Sequence, residues 1–453
     1  MQIPTPSGRF RWRIVALLFL ATTINYVDRQ VLSFTMTDDL FRKEMLDVAP
    51  NTVLTKEATD RFKVLYGDVD AAFKFAYAIG FLLVGWLIDR FGTKRGFSLG
   101  ILVWSIAAVT TGFVHNMAGL RWARAFLGLG ESANFPSAIK TVSEWFPKTE
   151  RSFASGLFNA GTNVGIIVTA FVTPYLILEL GWRSSFLITG MLGFVLLIIW
   201  WFTYTKPERQ VNLSTEELAY IRSDNEKAIP VHVSWGQLLG YKQTWAFAVG
   251  KFMADPIWWF YISWLPDFFN SNDAFEEKLE LKTFGVPFLI IYIVSDAGSI
   301  FFGWLSTQFM SWGWTANQAR KTTLMICAVC VIPIFFAAQT SSLTVAIGLL
   351  ALATAAHQGW SANMYTFASD LFPKNVVASV TGIGGMFGAV GGILLSLLAG
   401  RIITSFGYLP MFIIASCSYL IALVLIHLIL PKLEPLKAED LESSTHWLAG
   451  TRL

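Results

Sequence analysis

Long apolar runs separated by short polar segments recur along the whole chain, and this pattern restricts it to a bundle of helices embedded in a membrane. Hydrophobic residues make up 54% of the 453 residues and charged residues only 14%. Soluble proteins of this length do not show that balance. Because a helix needs about 20 apolar residues to cross a bilayer, spans of this kind use most of the chain. A large extramembrane enzyme domain is therefore excluded.

The apolar runs predict an all-α membrane protein with twelve transmembrane helices. The predicted spans are 14–36, 69–89, 96–114, 118–141, 152–176, 183–204, 243–269, 284–308, 322–339, 343–367, 376–400 and 407–430. The basic residues of short loops fall on one side of such a bundle, which predicts that both termini are cytoplasmic. These residues are Arg9, Arg11, Arg13, Arg90, Lys94, Arg95, Lys148, Arg151, Lys206, Arg209, Arg222, Lys227, Arg320 and Lys321. The 37–68 loop is long and nearly balanced in charge, and we expect it on the opposite side.

The first apolar run follows a basic segment and has no small-residue cleavage site, so we expect it to be a retained helix.

The net charge of the chain, +3, is too small to indicate nucleic acid binding, and the basic residues are too scattered along the sequence.

No cofactor is expected. Cys327, Cys330 and Cys417 lie in apolar runs, where cysteine behaves as a small buried hydrophobe, and no second CxxC completes a zinc set. The glycine-rich segment 382–392 follows no strand and lacks the P-loop pattern, so close helix packing is favoured over nucleotide binding.

An internal repeat divides the chain into two halves. Phe146-Pro147-Lys148 returns 226 positions later as Phe372-Pro373-Lys374, and Gly181-Trp182 returns as Gly407-Tyr408. Two parallel halves are a transporter architecture, with the ligand site near the middle of the membrane between them. We therefore predict two six-helix pseudo-repeats.

The predicted boundaries follow from the repeat and from the polar segments. They are an N-terminal half at 1–204, a cytoplasmic linker at 205–241, a C-terminal half at 242–431 and a cytoplasmic tail at 432–453. Within the linker, Ser214-Thr-Glu-Glu217 has the form of a capping box before a short amphipathic helix.

The segment GWLIDRFGTKR at 85–95 places an acid–base cluster in a tight turn between two spans. It resembles the signature loop of the major facilitator superfamily. An acid and a base that pair in one conformation and separate in the other form a bistable contact of the kind that alternating access requires. The candidate gating residues are Gly85, Asp89, Arg90, Gly92, Lys94 and Arg95.

Charged residues inside predicted spans are functional candidates, because each is costly in a membrane unless it faces a cavity or a partner. Asp28 and Arg29 lie in the first span, and Arg124 and Glu131 lie seven residues apart in the fourth. That spacing is about two helical turns, so Arg124 and Glu131 share a face.

Several segments together resemble the anion:cation symporter family, and within it the bacterial hexuronate transporters, over nearly the whole chain. They are INYVDRQVL (24–32), RAFLGLGESANFP (124–136), EWFPKTERSFASGLFNAGTNVG (144–165), LSTEELAYI (213–221), KFMADPIWWFYISWLP (251–266) and AHQGWSA (356–362). The resemblance implies proton-coupling roles for Asp28 and Glu131, and substrate contacts for Tyr26, Arg29, Tyr77 and Arg124. It also implies a monomer.

The residue chemistry agrees with those roles. A carboxylate in a dry cavity needs a cation, and the planar guanidinium of arginine binds a carboxylate through two parallel hydrogen bonds. If Arg124 lies near Glu131, an anion that neutralises the arginine favours protonation of the glutamate, so proton and anion bind cooperatively. The alternative for each acid is a purely structural role.

Sugar hydroxyls need neutral hydrogen-bonding groups, and a sugar ring needs an aromatic face. The candidates are Asn159, Thr162, Asn163, Trp258 or Trp259, Gln358, Asn363 and Tyr365. Other polar residues in spans are open to more than one interpretation. His357 is either a proton shuttle or a core histidine, Lys251 and Asp255 can neutralise each other one turn apart, and the roles of Asp296 and Lys74 stay open.

The expected function is proton-driven import of a sugar acid, in the first place a hexuronate such as glucuronate or galacturonate, across a bacterial inner membrane. Its expected partners are this small anion, protons and the lipid bilayer. The alternatives are another organic anion such as the aldonate galactonate, or sodium as the driving ion. A remote alternative is an intramembrane enzyme; a nutrient sensor is disfavoured because we find no signalling domain.

Overall fold

The computed structural model describes residues 9–223, 235–271, 275, 279, 283–372 and 377–436, and within them it is helical with no strand. The α-helices are α1 (Phe10–Thr35), α2 (Asp39–Met45), α3 (Lys56–Phe91), α4 (Thr93–Thr111), α5 (Met117–Glu131), α6 (Asn134–Trp145), α7 (Lys148–Leu180), α8 (Trp182–Thr203), α9 (Thr215–Ile221), α10 (Trp235–Leu238), α11 (Lys242–Ser271), α12 (Gly285–Ser311), α13 (Ala316–Val331), α14 (Leu343–Leu371), α15 (Val377–Phe406) and α16 (Leu409–Ile429). Short 3-10 helices follow at Pro207–Arg209 and Ile332–Ala338.

Every predicted span overlaps helix, and eight helical segments of the described chain are long and apolar enough to cross a membrane. The number of twelve spans stays a prediction. The helices that fall short include α5, which has 15 residues, and the longer α3 and α11, which carry ionisable side chains such as Asp70 and Lys251 in their interiors. Those side chains lower the mean hydropathy of α3 and α11.

The loop predicted at 37–68 is largely helical, which corrects the sequence-based boundaries. Asp38 caps α2 by accepting a hydrogen bond from the amide of Phe41, and Thr55 caps α3 in the same way. The predicted span 69–89 is therefore the second part of a 36-residue helix. The predicted span 118–141 is likewise two helices, α5 and α6, separated at Ser132 and Ala133.

The backbone repeats where the sequence repeats. Gly181 and Gly407 each end a long helix with a positive φ, of 81° and 72°. Phe146 and Phe372 are both extended residues after a helix, with φ of −129° and −122°. Glycine is needed at the first pair because a side chain disfavours positive φ. The predicted sequence repeat is thus matched by equivalent turns.

The helices form two compact units. The first contains Met1–Lys227, Ser263–Asn270 and Leu279–Leu289, and the second contains Ala228–Ile262, Ser271–Lys278 and Ile290–Leu453. The end of α11 and the start of α12 therefore pack with the first unit. The domain boundaries predicted from the sequence stay a prediction.

Close helix packing in the first unit fixes the helices that carry the candidate site. A Cβ at Gly165 of α7 would lie 2.6 Å from the carbonyl oxygen of Thr23 on α1, and one at Gly128 of α5 would lie 2.3 Å from that of Phe73 on α3. Only glycine allows backbones to approach so closely. These contacts set how closely α1 packs against α7 and how closely α5 packs against α3.

The N-terminus of α1 is held by the linker helix α9. Ser214 caps α9 by accepting a hydrogen bond from the amide of Glu217, which is one of the two bonds of the predicted capping box. The carboxylate of Glu217 accepts hydrogen bonds from the amides of Phe10 and Arg11 at 3.2 and 3.1 Å, and Arg11 Nη1 donates to it at 3.0 Å. Glu217 therefore satisfies the free amides of a different helix.

The glycine-rich segment packs as predicted in the second unit. A Cβ at Gly384, Gly388 or Gly391 would lie within 2.5 Å of an atom of Phe247, Asp255 or Phe252 on α11. These glycines let α15 approach α11 closely.

Candidate functional site

A buried ion pair joins α1 to α5 in the first unit. Arg29 Nε donates a hydrogen bond to Glu131 Oε2 at 2.8 Å, and both side chains are buried. The sequence placed Arg124 and Glu131 on one face of a helix, but the hydrogen bond of Glu131 goes to Arg29. Glu131 Oε1 has no hydrogen-bond partner among the described residues.

Three aromatic rings surround the guanidinium of Arg29. Its central carbon lies 4.6 Å from the ring centre of Tyr26, 4.9 Å from Tyr77 and 5.3 Å from Phe73. Such contacts attract a cation electrostatically and keep its planar group in one orientation. Tyr26 and Tyr77, the tyrosines predicted to touch substrate, therefore lie directly against the predicted substrate-binding arginine.

Arg124 contacts the same phenylalanine ring. Its central guanidinium carbon lies 4.7 Å from the ring centre of Phe73, and Nη2 donates to the carbonyl oxygen of Arg29 at 3.2 Å. Arg124 is buried, and its Nε has no hydrogen-bond partner in the described part of the chain. We call Arg29, Arg124, Phe73 and Glu131 the arginine cluster. Two cations sharing one ring form a ready site for an anion.

Asp28 is buried beside this cluster and unpaired. Neither of its carboxylate oxygens has a hydrogen-bond partner within the described residues, although the hydroxyl of Thr189 on α8 faces it. The sequence-based alternative was a structural partner for a neighbouring arginine. The structure shows no ion pair of Asp28 with Arg29 or Arg124, since Arg29 bonds Glu131 instead. A buried carboxyl group without partners is stable mainly in its neutral form, as a proton site requires.

Lys74 follows Phe73 on α3 and is also buried. Its Nζ is 2.6 Å from Asp70 Oδ2, and Ser263 of α11 donates to Asp70 Oδ1 at 3.0 Å. Tyr66 donates to the carbonyl oxygen of Ser263 at 2.9 Å. Three buried cations of the first unit, Arg29, Arg124 and Lys74, thus lie on or against one stretch of α3.

The neutral candidates on α7 divide by exposure. Thr162 and Asn163 are buried in the stretch of α7 that packs along α1 through Gly165, whereas Asn159 is exposed. Their roles as substrate-binding residues stay predictions.

In the second unit, Trp258 stacks on His357 with ring centres 4.9 Å apart and planes 4° from parallel. The hydroxyl oxygen of Tyr419 lies 2.6 Å from His357 Nδ1. A buried histidine with a stacked ring and a hydrogen-bonded tyrosine fits the core interpretation better than a proton shuttle. Gln358 is half-buried on the same helix.

The other second-unit candidates differ in their surroundings. Asn363 is buried and donates to the carbonyl oxygens of Gly359 and Phe302 at 2.9 and 3.3 Å, whereas Tyr365 is exposed. The expected pair of Lys251 and Asp255 is confirmed at 2.9 Å, and Lys251 also lies 4.8 Å from the ring centre of Tyr365. The role of the half-buried Asp296 stays open.

The turn at 85–95 is only partly described. Gly92 has φ of 81° between α3 and α4, Lys94 lies 5.3 Å from the ring of Trp201, and Arg95 is exposed. Helix α3 includes Gly85, Asp89 and Arg90. The side chains of Asp89 and Arg90 lie outside the described part, so the gating prediction is untested. Near the turn, Glu144 accepts hydrogen bonds from Thr93 and Tyr204.

Among the described residues, no group of histidine, cysteine and acidic side chains could hold a metal ion, and the three cysteines are free.

Comparison with known proteins identifies the family. The family model described as Major Facilitator Superfamily matches residues 18–396 and 312–449. The chain belongs to the Major Facilitator Superfamily. It is therefore a multi-pass membrane transporter and not an enzyme, as the sequence indicated.

Curated relatives cover most of this superfamily member. The hexuronate transporter of Escherichia coli (strain K12) is 29% identical over 429 residues, which are 93% of this chain and 94% of the relative. The "Probable galactarate/D-glucarate transporter GudP" of the same strain is 28% identical over 88% of both chains. The galacturonate transporter of Dickeya chrysanthemi is 29% identical over 67% of this chain and 83% of its own length.

Solved structures agree with the superfamily fold. The xylose transporter XylE from Escherichia coli, in its inward open conformation, gives a TM-score of 0.71 at 14% identity and covers 96% of this chain and 99% of its own. A bacterial homolog of the human lysosomal transporter Spinster gives 0.70 at 17% identity, with 93% and 97% covered.

Several buried charges of this transporter were not predicted from the sequence. Asp267 lies within the predicted span 243–269 and is bound by Arg42 at 3.0 Å and by Lys63 at 2.9 Å. The rule applied to Asp28 and Glu131, that a charge inside a span needs a partner, would have selected Asp267. Asp70 was detectable from its spacing of four residues before Lys74.

Proposed function

We propose that this transporter imports a sugar acid together with protons, with a hexuronate as its first candidate substrate. The observation that carries the proposal is the arginine cluster: two buried guanidiniums on one phenylalanine ring, with Glu131 bonded to one of them and Asp28 unpaired nearby. Hexuronate and galacturonate transporters are among the relatives, and this similarity supports the substrate class.

A carboxylate substrate binds first to Arg124, whose Nε is available within the described part of the chain. A bidentate carboxylate also draws Arg29 away from Glu131, because both acids compete for the same guanidinium. Glu131 then loses its bond at 2.8 Å and takes up a proton, since an unpaired buried carboxylate is costly. Anion and proton thus favour each other's binding, which is the linkage that symport requires.

Asp28 offers a second proton site. If only one acid is protonated for each monoanion, transport is electroneutral. If both are protonated, one positive charge enters in each cycle, and the membrane potential contributes about 2.3 kcal/mol per charge per 100 mV. Uptake under an imposed potential separates the two cases.

A second candidate substrate is an aldonate. A D-galactonate transporter of Escherichia coli O6:H1 is 26% identical over 439 residues. An aldonate carries one carboxylate, so the arginine cluster would bind it by the same contacts. Sodium in place of the proton is the other variant of the proposal. We place the protein in a bacterial inner membrane, as a monomer with both termini cytoplasmic.

The test is uptake of labelled glucuronate and galacturonate into proteoliposomes with an inward proton gradient. Wild type accumulates substrate, Arg124→Gln does not, and Glu131→Gln exchanges substrate in counterflow without gradient-driven accumulation. The matched control is Arg121→Gln, one turn away on α5, where the exposed side chain lies 3.7 Å from Asp68. Gradient-independent uptake by wild type, or equal loss in both arginine variants, contradicts the proposal.

A further inference from the structure

One face of α3 presents four side chains toward the anion site, at positions 70, 73, 74 and 77. Residues three and four apart lie together on a helix, so this spacing forms a continuous stripe. Phe73 and Tyr77 contact the guanidiniums of the arginine cluster, while Asp70 and Lys74 form the buried pair at 2.6 Å. The stripe therefore adds a third buried cation, Lys74, on the same face of α3 and within the electrostatic range of both arginines.

Stability does not account for this pair. Removing an ammonium and a carboxylate from water is unfavourable for each ion, and the attraction between them does little more than compensate for it. The side chain of Lys74 is 3% exposed and that of Asp70 8%, so both bear this cost. In addition, Lys74 lies within the field of Arg29 and Arg124, which repel it. A neutral residue at position 74 would avoid the repulsion.

Asp70 is held in place independently of Lys74. Its second oxygen accepts the hydroxyl of Ser263 at 3.0 Å, and the carbonyl of Ser263 accepts the hydroxyl of Tyr66 at 2.9 Å. Trp264 packs edge-on against Tyr66 with ring centres 5.0 Å apart. Lys74 is a flexible side chain on a fixed partner, so it can exchange that partner for another carboxylate without moving a helix.

One carboxylate of a sugar acid is matched by the arginines alone. We propose that Lys74 is a specificity residue that binds the second carboxylate of a sugar acid with carboxylates at both ends, and that Asp70 is its counter-ion in the empty site. This inference rests on the proposed function, because it assumes that the arginine cluster binds the first carboxylate. The site accepts hexuronates through the arginines and gains affinity for dicarboxylates through Lys74.

The charges of the stripe explain the exchange. A substrate carboxylate that replaces Asp70 at Lys74 keeps the ammonium paired, and Asp70 keeps its bond from Ser263. The Lys74–Asp70 pair has to break when a dicarboxylate binds, so the free energy of this pair opposes dicarboxylate binding. Removing the charge of Asp70 therefore increases dicarboxylate affinity, and removing the charge of Lys74 decreases it.

The experiment compares glucarate with glucuronate, which share a six-carbon skeleton and differ in the second carboxylate. Each unlabelled compound competes with labelled glucuronate for uptake by wild type, Lys74→Gln, Lys74→Arg and Asp70→Asn in proteoliposomes. The readout is the ratio of the two half-inhibitory concentrations, which a general loss of folding or activity does not change. The double variant Asp70→Asn/Lys74→Gln keeps the local charge balanced and serves where a single variant folds poorly.

We expect the preference for glucarate to fall about tenfold or more in Lys74→Gln, to rise in Asp70→Asn, and to be partly kept in Lys74→Arg; a tenfold change corresponds to about 1.4 kcal/mol. In the double variant it falls as in Lys74→Gln. Unchanged ratios in all variants, or wild-type glucuronate uptake that glucarate does not inhibit, overturn the role of Lys74 and leave the proposed function intact. Absence of uptake of every sugar acid by wild type overturns the proposed function itself.

Discussion

Arg29 Nε donates to Glu131 Oε2 at 2.8 Å, and this bond joins the C-terminal third of α1 to the last residue of α5. The same guanidinium lies 4.6 and 4.9 Å from the ring centres of Tyr26 and Tyr77. An anion that binds this group therefore competes with Glu131 for its N–H donors.

The guanidinium of Arg29 cannot be replaced by an ammonium. We expect Arg29→Lys to lower the initial rate of sugar-acid counterflow at least about tenfold, because lysine lacks the planar fork and stacks less well on tyrosine. Arg13→Lys is the control on the same helix, where Arg13 is exposed. Rates in Arg29→Lys within twofold of wild type would show that a point charge is sufficient.

The unpaired Asp28 should separate coupling from binding. Asp28→Asn keeps the shape of the side chain and imitates the protonated acid, and it breaks no hydrogen bond among the described residues. We therefore expect counterflow exchange to persist while accumulation driven by the proton gradient is lost. Asp68→Asn, at a residue whose carboxylate is 3.7 Å from Arg121, is the control. Normal accumulation by Asp28→Asn assigns coupling to another residue.

Asp267 neutralises two buried cations in the first unit. Asp267→Asn leaves Arg42 and Lys63 without the carboxylate that both contact, and breaking a buried pair costs about 3–5 kcal/mol. We expect a marked decrease in Tm in detergent, measured by the fluorescence of the native tryptophans. Asp39→Asn is the control, since Asp39 is exposed and lies farther from the same Arg42, at 3.9 Å. Equal Tm values for the two variants would be inconsistent with a structural role for Asp267.

The carboxylate of Glu217 should stabilise the start of α1. Glu217→Ala removes the acceptor of two amides and of Arg11, and a lost hydrogen bond to a charged group costs about 1.5–3 kcal/mol. The neighbouring Glu216 is exposed and makes a matched Glu216→Ala control. Thermal unfolding of the two variants measures the difference. A Tm for Glu217→Ala equal to that of the control would mean that water replaces the cap.

Glu44 on α2 predicts a pH dependence outside the membrane spans. The hydrogen bond from Arg183 lowers the pKa of Glu44 below its usual value, although partial burial opposes this. A carboxyl group with a lowered pKa contributes stability above its unfolded-state pKa, and the contribution is lost as the pH falls through the folded-state pKa. The Tm of Glu44→Gln should be lower than that of wild type at pH 7, and the two should converge below about pH 4.3. A difference that is constant with pH contradicts this explanation.

Much of the fold was predictable because apolar runs are a local property of the sequence. A segment of about 20 apolar residues has to become a helix in a membrane, whatever its neighbours are. The helix ends were less predictable. The polar first part of α3 and the break between α5 and α6 depend on caps such as Thr55 and on packing around Ser132.

The sequence predicted which charged residues form the candidate site, but not which of them pair with each other. The sequence selected Asp28, Arg29, Arg124 and Glu131 because a charge inside a span has to have a reason. It did not reveal that Glu131 bonds Arg29, that Phe73 lies under both arginines, or that Asp28 is unpaired. Phe73 in particular is indistinguishable by sequence from the other aromatic residues of α3.

By itself, the sequence determined that the chain is a helical membrane transporter with charged residues in three of its first-half spans, because hydropathy and charge are summed along the chain. Only the tertiary structure decided which charges meet. Residues 29 and 131 are separated by 102 positions, and their contact depends on how closely the glycines of α5 and α7 let neighbouring helices approach. Partner choice among buried charges follows from ångström-scale helix packing, which no local pattern encodes.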